Sequence, residues 1–135
     1  MKRVVGLWID HRKAVIVAIL GEGKEIMLTM KSRMEPHVRF AGGSRSNARH
    51  KALEVTAENQ RDRRFAHHLS TYYDGVISHI REAEAILVFG PGEAKRELEK
   101  RLESKGLGRR IVGVESVDKM TDRQIAAKVR QRFLE

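Results

Sequence analysis

Apolar residues recur at Phe65, Leu69, Tyr72, Val76, Ile80 and Ala83, in steps of four or three. That spacing is the period of an α-helix with one apolar face, and it predicts a helix from about Thr56 to Ala83. The opposite face carries Arg61, Arg63, Arg64, His68 and Arg81. At a rise of about 1.5 Å per residue the helix is about 40 Å long, more than a small sheet needs. Its first turns are therefore expected to extend past the core. Gly75 sits inside the pattern and costs about 1 kcal/mol relative to alanine, which leaves a break there open.

The rest of the chain supplies strands and shorter helices around this one. Val4 to Ile9 and Ala14 to Leu20 are apolar runs rich in valine and isoleucine, separated by Asp10-His11-Arg12-Lys13, which reads as a β-hairpin. Asp10 is then a turn residue. Gly21 to Lys24 forms the next turn, and Glu25 to Lys31 a third strand whose Ile26, Leu28 and Met30 make one face more apolar. Ala85 to Phe89 is apolar throughout, as in a central strand covered on both faces. A helix follows over Glu93 to Lys105, with a stripe of Ala94, Leu98 and Leu102 and Gly106 as its cap. Arg110 to Val117 is a fifth strand. Thr121 with Gln124 forms a capping box ahead of a last helix marked by Ile125, Val129 and Phe133.

The order is β-β-β-α-β-α-β-α, an α/β chain with a mixed five-stranded sheet. That is the ribonuclease H-like, or translational-machinery-component-like, succession. With 135 residues the chain is expected to be a single domain over 1–135, with a mobile basic loop at 35–51. The N-terminal apolar run is too short for a signal peptide and Ala14 to Leu20 too short to span a bilayer, so a cytoplasmic protein is expected. Cysteine is absent, which excludes disulfides and thiolate metal sites.

Charge points to a partner class. Lysine and arginine total 27 against 18 acids, a net charge of +9, which favours a polyanion. The cations gather in Arg39 to Lys51, R-F-A-G-G-S-R-S-N-A-R-H-K, where no apolar period runs and Gly42-Gly43 allows close backbone approach. The plain reading is a solvated loop. The functional reading assigns RNA contact to Arg39, Gly42, Gly43, Ser44, Arg45, Arg49 and Lys51, joined by Arg61, Arg63 and Arg64 on the helix. A second anion site is expected at Gly90, Gly92 and Lys95, where a glycine turn opens a helix, although Gly and Pro often only punctuate. The turn is too short for a P-loop.

Catalytic readings fare worse. A two-metal nuclease needs carboxylates on the first strand, the long helix and the end of the fourth strand. Asp10 and Glu58 or Asp62 could serve, but Phe89-Gly90-Pro91-Gly92 offers none. His67 and His68 point about 100° apart on a helix, and His37 with His50 lacks a third ligand, so no metal or cofactor is expected. Ser44 and Ser46 have no base that sequence reveals, and no catalytic residue is assigned.

These pieces resemble the middle domain of the archaeal and eukaryotic peptide-chain release factors and Pelota, as a free-standing bacterial-type relative. The resemblance rests on Gly42-Gly43-Ser44 between the third strand and a long basic helix, on Gly90-Pro91-Gly92-x-x-Lys95, and on Val117 to Asp122 before the last helix. It implies ribosomal RNA or tRNA on the ribosome as partner, in rescue or release, with no membrane. The release factors carry Gly-Gly-Gln, which promotes hydrolysis of peptidyl-tRNA; Ser44 stands at the glutamine position here. Pelota also lacks the glutamine and does not hydrolyse. The alternatives are a peptidyl-tRNA or other ester hydrolase using the loop, and an interaction module docking a protein partner or a second copy. Exposure of Phe65, Tyr72 or Trp8 would favour the last.

Overall fold

The computed structural model describes residues 3–32 and 51–134, with residues 51–62 described as backbone. The strands are β1 (Val4–Ile9), β2 (Lys13–Ile19), β3 (Glu25–Lys31), β4 (Ala85–Gly90) and β5 (Ile111–Ser116). The helices are α1 (Lys51–Ile80), α2 (Ala94–Ser104) and α3 (Asp122–Leu134). The five strands form one mixed sheet in the order β3-β2-β1-β4-β5. The β1, β2 and β3 pairings are antiparallel, whereas β4 lies parallel to both β1 and β5. The ribonuclease H-like order expected from sequence is thus the order found.

Alternation along the central strands divides two cores. Val5, Leu7, Ile9, Ile16, Ile86 and Val88 face α1 and α2, meeting Tyr72, Val76, Ile80, Leu98 and Leu102. Trp8, Val15, Val17, Leu87 and Phe89 face the other way, against Ile125, Ala126 and Val129 of α3. One sheet face therefore carries two helices and the other carries one.

The long helix is continuous through Gly75 from Lys51 to Ile80, so the break considered there does not occur. Residues on either side of the glycine (Tyr72, Tyr73, Val76 and Ile77) are buried. Their packing outweighs the glycine's poor propensity. The missing side chain also makes room for a strand, because a Cβ at Gly75 would lie 3.0 Å from Met30 Cε.

Helix ends follow the expected chemistry. Gly106 adopts φ +80, and the N–H groups of Leu107 and Gly106 donate to the carbonyls of Leu102 and Glu103 at 2.9 and 3.0 Å, a Schellman close to α2. The N–H of Thr121 donates to Gln124 Oε1 at 2.9 Å and the N–H of Gln124 to Thr121 Oγ1 at 3.2 Å, completing the capping box of α3. β3 departs from the expected pattern. It forms, but Ile26 and Leu28 on its more apolar side stay 47% and 38% exposed, and Met27 on the other side 39%. β3 is the sheet's edge, and only Met30 reaches the core.

Candidate nucleic-acid interface

Because β1 and β4 are parallel, and β3 runs the same way as β1 through two antiparallel steps, all three end at one edge of the sheet. The turn from β1 to β2 lies there. Asp10 shapes it by accepting hydrogen bonds from the N–H groups of Arg12 and Lys13, each at 2.8 Å. This is the plain turn role expected of Asp10. The turn holds up His11, Arg12 and Lys13, while Lys31 closes β3 beside it through Ser32 N–H donating to the Arg12 carbonyl at 2.8 Å.

The N-terminal part of α1 reaches the same edge. Tyr72 donates its hydroxyl to the Asp10 carbonyl at 3.0 Å, and the Phe65 ring stands edge-on to His11 at 6.3 Å between centroids. From Arg63 to His68 every residue of α1 is exposed, including Phe65 on the apolar stripe at 38%. Phe65 is covered in part by His11, whereas Leu69, four residues further along the same stripe, is buried. Trp8 and Tyr72, the other two aromatics whose exposure would have suggested a docking surface, are buried at 2% and 5%.

A polar clamp braces this edge. Glu97 on α2 takes a hydrogen bond from the Tyr73 hydroxyl at 2.5 Å and lies 2.9 Å from His11 Nε2 through the same oxygen. Burial and then the Glu97 partnership push the Tyr73 hydroxyl well above its ordinary range. Burial, followed by the nearby Asp10 charge, does the same to Tyr72. Further along, Arg101 donates twice to Asp74, at 2.7 and 2.9 Å, and this bond holds the Asp74 carboxyl below its usual range. Glu97 and Asp74 thus fasten α1 to α2.

Gly90-Pro91-Gly92 lies at the same edge, beside the end of β1. Gly90 has φ +156, and a Cβ there would sit 2.2 Å from the Ile9 carbonyl oxygen, so only glycine lets the two strand ends close together. Lys95 is 5% exposed and donates its ammonium to the Gly92 carbonyl. The turn is closed on its own lysine, and an anion bound at Gly90 and Gly92 would have to draw that ammonium away.

Of the residues expected to meet RNA, Arg63 and Arg64 are exposed beside the β1–β2 turn. Lys51 and Arg61 are placed on α1 by their backbone. Arg39, Gly42, Gly43, Ser44, Arg45 and Arg49, with His37 and His50, lie outside the described residues, as do the loop bounds at 35–51 apart from Lys51. Sequence reasoning missed Arg12, Lys13 and Lys31, which the hairpins carry to the edge. Their signal was a polar interruption between two apolar runs, read only as a turn. Among the described residues no three of His, Asp and Glu converge as a metal site, and no helix is long and apolar enough to cross a membrane.

The class defined so far is a mixed α/β sheet of ribonuclease H-like order with a cationic edge. No protein-family model matches the chain, and neither does any curated protein. Solved structures do. Pelota from Thermoplasma acidophilum superposes on 96% of the chain with a TM-score of 0.56 at 14% identity, which shows a shared fold. Pelota from Archaeoglobus fulgidus matches at TM-score 0.49 and 18% identity over 98% of the chain. An archaeal translation termination factor matches at 0.46 and 13%, also over 98%. The chain spans about a third of the two Pelota chains, 32% of each, and 39% of the termination factor.

Proposed function

We propose that this chain is a translation-associated domain that binds ribosomal RNA or tRNA on the ribosome and acts in ribosome rescue or release. The observation that supports it best is a cationic end of the sheet: Arg12, Lys13 and Lys31 stand at neighbouring strand ends, with the Lys13 ammonium over Trp8 on the α3 face, while α1 carries the exposed Arg63 and Arg64 on the other face. Cations on both faces at one end of a sheet raise the local potential that attracts phosphates. The fold shared with Pelota supplies the setting, and a net charge of +9 the attraction. Arg39, Arg45, Arg49, Lys51 and Arg61 extend the surface in this reading, with Gly42-Gly43-Ser44 brought up to the RNA backbone. Gly90, Gly92 and Lys95 would form a subsidiary anion contact.

In this reading the domain works by positioning, since Ser44 stands at the place of the glutamine of the hydrolysing factors. The test is co-sedimentation with ribosomes through sucrose at low and moderate salt, beside a variant carrying Arg39→Glu, Arg45→Glu and Arg49→Glu. Wild-type binding that the triple variant loses is expected. If about five phosphates are neutralised, affinity falls with salt at a log-log slope of roughly −3.5 to −4.5. Salt-independent binding, or equal binding by both proteins, would overturn the reading. Turnover of labelled peptidyl-tRNA that Ser44→Ala abolishes would replace it with a hydrolase.

A further inference from the structure

β3 is an edge strand with three consecutive exposed apolar residues, Ile26, Met27 and Leu28. Edge strands of natural proteins usually carry a charge or proline in mid-strand to prevent pairing with another sheet. Here mid-strand is I-M-L-T-M, and the charges stand only at the two ends, Glu25 and Lys31. Those ends have opposite sign.

The backbone alternation can be followed along the strand. The Leu20 N–H donates to the Lys24 carbonyl and the Ser32 N–H to the Arg12 carbonyl, at 2.7 and 2.8 Å. With the register Ala18↔Ile26, Ile16↔Leu28 and Ala14↔Met30, the hydrogen-bonded pairs to β2 fall on the even residues of β3. The N–H and C=O groups of Glu25, Met27, Thr29 and Lys31 therefore point outward, away from β2.

We infer that β3 pairs antiparallel with β3 of a second copy, about a two-fold axis through Leu28. In that register Met27 meets Thr29 and Glu25 meets Lys31, each pair drawn from the residues whose backbone groups face outward, so the ladder closes on both sides. Glu25 of each copy lies against Lys31 of the other, a complementarity that no other centre on this strand provides for both ends. On the side shared with Ile16, Leu28 faces Leu28 and Ile26 faces Met30, covering the apolar residues left bare in one chain. Glu25 also holds Arg130 of α3 at 2.8 Å, which keeps its carboxylate fixed at the strand end. The product is a continuous ten-stranded sheet, and it does not depend on the RNA reading.

The experiment is mass by sedimentation equilibrium across a dilution series, with amide exchange in parallel. A species of twice 15.4 kDa is expected, with the amides of Glu25, Met27, Thr29 and Lys31 protected only where the dimer is populated. Thr29→Pro removes an outward N–H while leaving the β2 ladder, and is expected to be folded by circular dichroism and monomeric. Lys31→Glu sets two carboxylates against each other at both ends and should weaken association about tenfold; adding Glu25→Lys should restore it. A monomer at every concentration would overturn the inference, whether those amides exchange freely or are protected by a strand of the same chain. So would a dimer indifferent to both folded Thr29→Pro and the charge exchange.

Discussion

Two stretches of α1, Arg63 to His68 and Leu69 to Ile80, belong to one unbroken helix but stand in opposite relations to the described core. From Leu69 to Ile80 it is a core element, burying Tyr72, Tyr73, Val76, Ile77 and Ile80 against β1, β2 and β4. From Arg63 to His68 every residue is exposed, and none of them belongs to the buried core, although Phe65 meets the His11 ring. Turns that lie outside the described core are free to serve something else. The charge follows that division, with Arg63 and Arg64 in the exposed part and a single acid, Asp74, in the buried part, neutralised by Arg101. The sharpest way to break this comparison is to find stability in the exposed half or RNA affinity in the buried one.

The largest effect on stability is expected from Ile80→Ala. Ile80 has no exposed surface and sits where α1 meets β4, so its truncation leaves a cavity and should cost about 3–4 kcal/mol in chemical denaturation. Ribosome co-sedimentation of the folded variant should be unchanged. If Ile80→Ala weakened binding as much as folding, the division within the helix would not hold.

A smaller and pH-dependent effect is expected at Tyr72. Its folded-state pKa lies above the unfolded value because burial, then the Asp10 charge, disfavours the phenolate. The stabilising contribution is therefore complete below about pH 10 and is lost as pH rises above it, by about 1.4 kcal/mol per pH unit while only the unfolded chain ionises. Tyr72→Phe should cost about 1 kcal/mol at neutral pH for the lost hydrogen bond to Asp10, and should flatten the alkaline limb of the stability profile. An unchanged alkaline limb would show that the hydroxyl is not held in the core as described.

Much of this architecture was legible because period and burial coincide. The 3.6-residue stripe located the buried half of α1, and the uniformly apolar A-I-L-V-F run located β4 between two helical layers. β3 was legible as a strand but not as an edge, because alternation reports a possible face and not whether anything covers it. Whether Gly75 breaks the helix was left open for the same reason: propensity is local, while Met30, which lies over that glycine, is 45 positions away in sequence and arrives only once the sheet is built. The site was half legible. Runs of arginine on one helix announce themselves, but Arg12, Lys13 and Lys31 become neighbours only through hairpin register, and the His11–Glu97 contact joins residues 86 apart.

The exposed half supplies the smallest expected change in stability and the most informative one for function. Arg63→Gln with Arg64→Gln removes two exposed cations from turns outside the buried core, so unfolding free energy should move by no more than about 0.5 kcal/mol. If both side chains meet phosphates, each lost contact reduces the magnitude of the salt slope by about 0.7 to 0.9, or roughly 1.5 for the pair. Affinity should fall most at low salt, where counterion release contributes most, and the wild-type and variant curves should converge as salt rises. Loss of affinity with an unchanged slope would mean that the two arginines act through the shape of the helix and not through their charge. Arg12→Gln, on the β1–β2 turn at the same edge, should repeat the effect of one helix arginine if the edge is a single surface. Were Arg12→Gln silent while the helix pair was not, the phosphate path would run along α1 alone and leave the sheet edge behind.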